Sequence, residues 1–473
     1  MSLTIANNAL SQTAQNNLMK STASFTKSIE RLSSGLKVNR GADGPASLVI
    51  SEKQRAQIAG LEAAIENSEK ATALVQTAEG ALTEINTLLV KVRSLAIDSA
   101  NAGVNDDDAL AANQAEIDNA LDTIDRISNN TQFGTKKLLN GEAGINGVVN
   151  DSDVTFLNAT QKTEAGSYTI DVTTAGERAN TTAGTGQTSG LAADENLVIN
   201  GVSVELSQNM SQAQVVDRIN DFSAQTGVVA DVDGAGATRL YTESFGSAAE
   251  LTVISNQVAA VDSSGFGTTE IVDTGVDAVV EIGGNAYTGK GNVVTADAGA
   301  EKGITLSIGE DGGTPLVTST VSGAQGTVSI TDSSLSFQIG PNANQDAQFA
   351  INKAAASSLG IGVAGNQFSN LGEIKVGSAN QANDALAVVD DAIDTITNMR
   401  GELGAFQQNT LTATSNNLRV TLEKTINAES VIRDTDFAQE ISEFTKGQVL
   451  QQAGASVLSS ANQVPQLVLS LLG

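Results

Sequence analysis

Both ends of this chain are uncharged, in a sequence that is otherwise strongly acidic. Residues 1–19 contain no Asp, Glu, Lys or Arg, and none follows Lys446. The C-terminal stretch places Ala455, Leu458, Leu467 and Leu471 near one helical stripe, with Gln, Ser and Asn between them. It is too polar, and too interrupted by Gly454 and Pro465, to span a bilayer. It is also too apolar to stay solvated alone, because burying one Leu or Val side chain is worth roughly 1.5–3 kcal/mol. At the other end Ile5, Ala9, Leu10, Ala14, Leu18, Phe25, Ile29 and Leu32 recur at helical spacing. The two ends are therefore expected to pack on each other and on copies of themselves; the alternative is a pair of frayed termini.

The acid is unevenly placed. The formal net charge is -28, and residues 151–346 hold 25 acidic against 6 basic side chains. Residues 1–60 carry 7 basic against 3 acidic side chains instead. An acidic middle argues against nucleic acid as a partner and for a soluble, self-repelling outer surface. The chain has no Cys, His or Trp. A disulfide framework is excluded, which fits a reducing compartment or export of an unfolded chain through a narrow path. The usual zinc, haem and nucleophile-plus-base arrangements lack their residues, and no pair of carboxylates stands out for acid–base work. The expectation is a protein with no catalytic residues, no metal and no cofactor. Residues 1–19 lack the basic and continuous apolar regions of a cleavable signal peptide, so an extracellular location would need another export route.

In chain order, Gly35 is a natural stop for the first helix, and an irregular charged stretch follows to Pro45. Residues 46–101 read as one helix, about 80 Å long at 1.5 Å per residue. Ile58, Leu61, Ile65, Val75, Ala78, Leu82, Ile85, Leu89, Val92 and Ala96 give it a coiled-coil-like seam. Asn105, ahead of three Asp residues, reads as the N-cap of the next helix rather than part of a metal loop. That helix carries Ile117, Leu121, Ile124 and Ile127 and ends between Asn129 and Gly134.

From about residue 140 the pattern becomes β-rich, as in Tyr168-Thr169-Ile170-Asp171-Val172. Asn200-Gly201 reads as a hairpin turn, 211–224 as a helix, and 228–232, 239–242 and 251–254 as strands, together a small α+β module. A second β-rich part covers 278–308, with turns at Gly283-Gly284 and Gly289-Lys290-Gly291-Asn292. Helical texture returns after Gly377 through Leu386, Val389, Ile393, Ile396, Leu403, Leu418, Leu422 and Ile426, interrupted only at Gly401 and Gly404. Asp436, with Gln439 three residues on, reads as the cap of a last helix starting at Phe437.

Three motifs suggest chemistry they do not complete. Asp231-Val232-Asp233-Gly234 opens like a calcium loop but lacks the closing ligands, so a turn is the better reading. Gly309-Glu310-Asp311-Gly312-Gly313 is acidic and repels phosphate, as a hairpin loop would be free to do. Gly360-Ile361-Gly362-Val363-Ala364-Gly365 fits the letter of a dinucleotide fingerprint without the strand before it or the helix behind it.

Several segments resemble bacterial flagellin. They include Ser28-Ile29-Glu30-Arg31-Leu32-Ser33-Ser34-Gly35-Leu36-Lys37-Val38-Asn39, Thr77-Ala78-Glu79-Gly80-Ala81-Leu82 and Ser336-Phe337-Gln338-Ile339-Gly340-Pro341-Asn342. The most specific is Val449-Leu450-Gln451-Gln452-Ala453-Gly454-Ala455-Ser456-Val457-Leu458, with Ala461-Asn462-Gln463-Val464-Pro465-Gln466 behind it. The resemblance covers about 1–145 and 330–473. It implies a multidomain α+β protein: a long coiled-coil-like helical rod made from both termini, with a β-rich inserted region in the middle. The implied division is 1–45 plus 435–473 for a terminal helical filament-core domain, 46–175 plus 330–434 for a helical rod domain with a β-hairpin, and 176–329 for a β-rich, solvent-facing insertion, as one or two small modules.

The resemblance further implies a subunit that polymerises with itself into the extracellular flagellar filament, without membrane insertion. Ile5, Leu10, Leu18, Phe25, Leu458, Leu467 and Leu471 would supply apolar assembly contacts. Implied partners are the flagellar export apparatus, an export chaperone that binds the C-terminal helices, and cap and junction proteins. A host innate receptor is a further implied partner, because Lys91, Arg93, Leu95 and Glu116 occupy the receptor patch of sensed flagellins. Arg93, Leu95 and Glu116 match that patch; Val90, Lys91, Ser94 and Ala120 depart from it, and Lys in place of Arg loses a bidentate contact. A hook-filament junction protein shares such helical ends and is the runner-up, with an adhesin role for the inserted region as an alternative of another class.

Overall fold

Asn8 opens the first helix, its side-chain oxygen accepting from the Ser11 amide. Helix α1 (Ala9–Ser34) then runs to Gly35, whose left-handed φ of 71° returns the glycine N–H to the Arg31 carbonyl, as the sequence leads one to expect. The structure, a computed structural model, describes residues 8–101, 103–309, 318–319 and 322–472, with backbone alone from 464 onward. Ile5 and residues 310–313 of the acidic loop lie outside the described residues.

Helix α2 (Pro45–Ser99) is 55 residues long and begins on a proline, whose missing N–H is no loss at a first position. Most of its expected seam is buried, namely Leu61, Val75, Ala78, Leu82, Ile85, Leu89, Val92 and Ala96, while Ile58 and Ile65 are only half-buried. Helix α3 (Asp107–Asn130) is capped one residue later than the sequence reading placed it. Asp106 accepts from the Ala109 amide, while the Asn105 side chain turns back to donate to the Asp98 carbonyl. A carboxylate outcompetes an amide for the positive end of a helix.

A short hairpin, β1 (Gln132–Phe133) with β2 (Lys136–Lys137), leads into the β-rich middle. There β3 (Ile145–Val149), β4 (Val154–Asn158) and β5 (Gly166–Thr174) precede a segment with its own core. That segment holds β6 (Arg178–Thr182), β7 (Glu195–Ile199), β8 (Val202–Leu206), helices α4 (Gln212–Asn220) and α5 (Ser223–Thr226), then β9 (Val228–Val232), β10 (Thr238–Phe245), β11 (Glu250–Ser255) and β12 (Ile271–Thr274). After it come β13 (Val279–Ile282), β14 (Asn285–Thr288), β15 (Val293–Thr295), β16 (Thr305–Ile308) and β17 (Gly323–Asp332).

Two nested modules result. The outer one joins a five-stranded sheet, β14-β13-β5-β17-β3, to a three-stranded one, β15-β16-β4, over a core that includes Ile170, Val172, Val280, Leu306 and Val328. The inner one joins β12-β11-β7-β8 and β6-β10-β9, with α4, over Leu197, Ile199, Val215, Leu240 and Leu251. The hairpin between β7 and β8 turns at Asn200 and Gly201 with φ of 47° and 81°, the backbone that Asn-Gly favours. The single helix expected over 211–224 is instead two. It breaks where the Asn220 side chain bonds both the N–H and the C=O of Ala230, covering the open edge of β9.

Strands β18 (Leu335–Gln338) and β19 (Asp346–Phe349) pair with each other. Helix α6 (Ala379–Ala405) passes through Gly401 and Gly404 without a break, contrary to the sequence expectation. The irregularity comes just after, as a π-helical segment over Phe406–Thr412. Its wider turn keeps Leu411 buried while the Phe406 ring sits 4.8 Å from that of Phe349. Helices α7 (Ala413–Arg433) and α8 (Phe437–Leu472) follow, and Asp436 caps α8 by accepting from the Ala438 and Gln439 amides. Neither Gly454 nor Pro465 ends α8.

The motifs resolve as ordinary structure. Asp231 pairs with Arg239, and Asp233 folds onto the Ala235 and Ala237 amides as a turn. Gly360 and Gly362 belong to a loop, with Gly360 pressed against Val388 of α6.

The chain divides into two compact units, one of residues 1–69, 338–346 and 413–473, the other of 70–337 and 347–412. In the first, Leu61 and Ala64 of α2 pack with Leu418 of α7, flanked by Ile65 and Leu422. Arg419 also reaches Glu69 at 2.6 Å. In the second, Arg93 of α2 pairs with Asp390 of α6.

Candidate assembly surface

The uncharged ends do meet, as an antiparallel pair. Phe25 stacks on Phe444 with centroids 5.0 Å apart, Arg31 faces Glu440 at 3.5 Å, and the Asn8 side chain donates to the Ala461 carbonyl. Within α8, up to Gln463, every buried or half-buried residue falls on Glu440, Phe444, Gly447, Gln451, Gly454, Leu458 or Ala461. Steps of four and three in alternation are the heptad rhythm of a left-handed coiled coil. On α1 the same rhythm runs through Ala14, Leu18, Ser21, Phe25, Ser28 and Leu32.

This seam is built largely from small and polar residues, so the helices approach closely. A Cβ on Gly447 would lie 3.2 Å from the Phe25 ring, and one on Gly454 would lie 3.1 Å from Leu18. Counting apolar residues alone misses such a seam; the seven-residue recurrence of Gly447 and Gly454 is the signal that could have found it.

Leu18, Phe25 and Leu458 thus lie in the seam within one chain. Leu10 does not; it is 60% exposed. Ala455, expected on the stripe with Leu458, is exposed as well. Other large apolar side chains are left in solvent on the same two helices: Met19 and Ile29 on α1, and Phe437, Ile441, Val449, Leu450 and Val457 on α8. Leu450 and Val457, seven residues apart, fall on one stripe of α8 outside the seam. Leu467 and Leu471 lie in α8 beyond the described side chains.

The connections beside this pair are pinned. Lys37 donates its N–H to the Arg433 carbonyl and Thr435 donates to that of Gly35, so the α1–α2 and α7–α8 breaks lie together. The Lys27 ammonium, 2.8 Å from Asp43, holds that carboxyl below its usual range. Arg55, with Arg433 behind it, does the same for Glu52. Among the described residues no group of three or more carboxylates is placed to hold a metal ion, and no helix is long and apolar enough to cross a membrane.

Two family profiles match the chain: the bacterial flagellin N-terminal helical region over residues 5–143, and the bacterial flagellin C-terminal helical region over 386–472. The B-type flagellin of Pseudomonas aeruginosa is 32% identical over 535 residues, with 100% of each chain covered. The chain belongs to the bacterial flagellin family. Flagellin of Salmonella muenchen is 30% identical over 527 residues, again with 100% of each chain covered. Among solved structures, the D1–D2–D3 domains of the Escherichia coli flagellar cap protein align at 18% identity over 47% of this chain and 64% of that one, with a TM-score of 0.27. A flagellin is an extracellular structural protein, not an enzyme: it is the subunit of the flagellar filament and assembles through its terminal helical regions.

The side chains of Lys91, Arg93 and Leu95 in this flagellin are largely occupied with neighbours. Lys91 pairs with Glu116 at 2.5 Å. Arg93 makes a two-pronged contact with Asp390 at 2.6 and 3.4 Å, which raises its pKa further. Leu95 is half-buried.

Proposed function

We propose that copies of this flagellin join through the side of the α1–α8 pair that faces away from its own seam. The observation that carries this is the solvent exposure of Leu450 and Val457, 50% and 59%, on a helix whose other face is already satisfied. Leu10 reaches the neighbouring subunit with them, while Leu18, Phe25 and Leu458 act indirectly, by fixing the pair. Ile5, Leu467 and Leu471 join the same contacts on their sequence spacing alone. The domains follow: 1–45 with 435–473 form the filament core, 46–175 with 330–434 the rod, and 176–329 the solvent-facing insertion, whose acidic surface suits that place.

The chain is exported unfolded through the flagellar export apparatus, a reading its lack of cysteine supports. A chaperone covers the apolar C-terminal helix until delivery, and cap and junction proteins meet the filament ends. Receptor activation is weak, because Lys91 replaces an arginine and is paired with Glu116; full-strength signalling in a cell reporter assay would contradict this. The assembly reading is tested by incubating filament seeds and a precipitating salt with the full chain and with a version lacking 448–473. Only the full chain should extend the seeds. Extension by both would remove the C-terminal helix from the assembly contact.

A further inference from the structure

A cavity of about 320 Å³ in the second unit lies between β3, β4 and residues 352–358. No carboxylate lines it, although the chain carries 54 acidic residues against 26 basic ones. Lys353, itself exposed, stands at its rim, its ammonium 3.4 Å from the Ser357 hydroxyl, and makes no ion pair among the described residues. Asn352 and Ser358 also line it, half-buried, and neither side chain is hydrogen-bonded to another described residue. The half-buried Phe156 ring closes one side.

Three glycines let the walls of the cavity pack closely. A Cβ at Gly147 would strike the Phe156 ring at 2.3 Å, one at Gly144 would lie 2.6 Å from the Ile351 carbonyl, and Gly141 holds a φ of 97° beside the Lys353 stem. The cavity therefore combines an aromatic face, an amide and a hydroxyl with free hydrogen-bonding capacity, and one cation with no internal counter-charge. Its volume is at the lower end of ligand sites, which run from about 300 to 1,000 Å³, so it suits one ring rather than a chain.

We propose that this cavity binds a carboxylated monosaccharide, with Lys353 taking the carboxylate, Asn352 and Ser358 the ring hydroxyls, and the Phe156 ring the apolar C–H face. A charge-assisted hydrogen bond from an exposed ammonium is worth up to about fivefold in affinity. The test titrates the full-length monomer with glucuronate, glucose and inorganic phosphate, followed by calorimetry and by NMR of the sugar. Glucuronate should bind up to about fivefold more tightly than glucose. Lys353→Gln should erase that preference while leaving glucose binding and the circular dichroism unchanged, and Ser358→Ala should weaken both sugars. Equal affinities for the two sugars, or a preference that survives Lys353→Gln, would overturn the proposal. So would phosphate binding as tightly as glucuronate, which would make this a plain oxyanion site, or no binding of any of the three.

Discussion

Gly447 and Gly80 are both helix-interior glycines, and their surroundings give them opposite roles. Gly80, in α2, has nothing within 4 Å of where a Cβ would sit, so Gly80→Ala should stabilise the monomer by about 0.5–1 kcal/mol through helix propensity alone. Gly447 faces the ring, Cβ and Cα of Phe25 at 3.2–3.5 Å. Gly447→Val should therefore prise α1 from α8 and lower the thermal midpoint, which unfolding followed by circular dichroism would show. Glu243 offers a test in pH. Burial pushes its carboxyl up, with Arg178 and Lys375 opposing and the Asp384 charge adding to the rise. An acid whose folded pKa is raised is penalised when ionised, so Glu243→Gln should stabilise the protein near neutrality. That advantage should shrink as pH falls through the raised folded value and vanish below the ordinary glutamate value; thermal midpoints at pH 7.5 and 4 would check it. At this scale the sequence was read one residue off at Asn105, because it does not say which of two adjacent polar groups reaches the first free amides.

Elements fixed by local pattern were legible: the α2 seam, the Gly35 stop, the Asp436 cap and the Asn200-Gly201 turn. Asn200→Ala should cost the inner module about 1–3 kcal/mol. It removes a left-handed-tolerant residue at φ 47° and leaves the Thr252 amide and the Thr226 carbonyl without their side-chain partner. Denaturant unfolding would measure the loss. What the sequence did not disclose were pairings between distant strands. β17 lies between β5 and β3, with Val328 opposite both Tyr168 and Val149. No window of local periodicity encodes such a long-range choice. The π-helical segment escaped for a related reason: it answers to the packing of Phe406 on Phe349, while glycine content pointed to Gly401 and Gly404.

Across the whole chain, charge and apolar surface are sorted by position. The family profiles match the helical ends and pass over residues 144–385, which contain both β modules and most of the excess acid. The ends were recognisable as assembly elements because they lack charge. Which of their residues face inward was not, because the seam uses Ser28, Gly447 and Gly454 as much as Leu18 and Phe25. In the proposed assembly one stripe of α8 serves the chain's own α1 and another serves the next subunit. The most direct measurement is seeded filament growth, by sedimentation and electron microscopy, of Leu450→Glu/Val457→Glu beside Val258→Glu, which alters a 72% exposed residue of the inner module. The double variant should keep the helix content of the monomer yet fail to extend seeds, while Val258→Glu extends them normally. Growth of the double variant at the unsubstituted rate would contradict the claim.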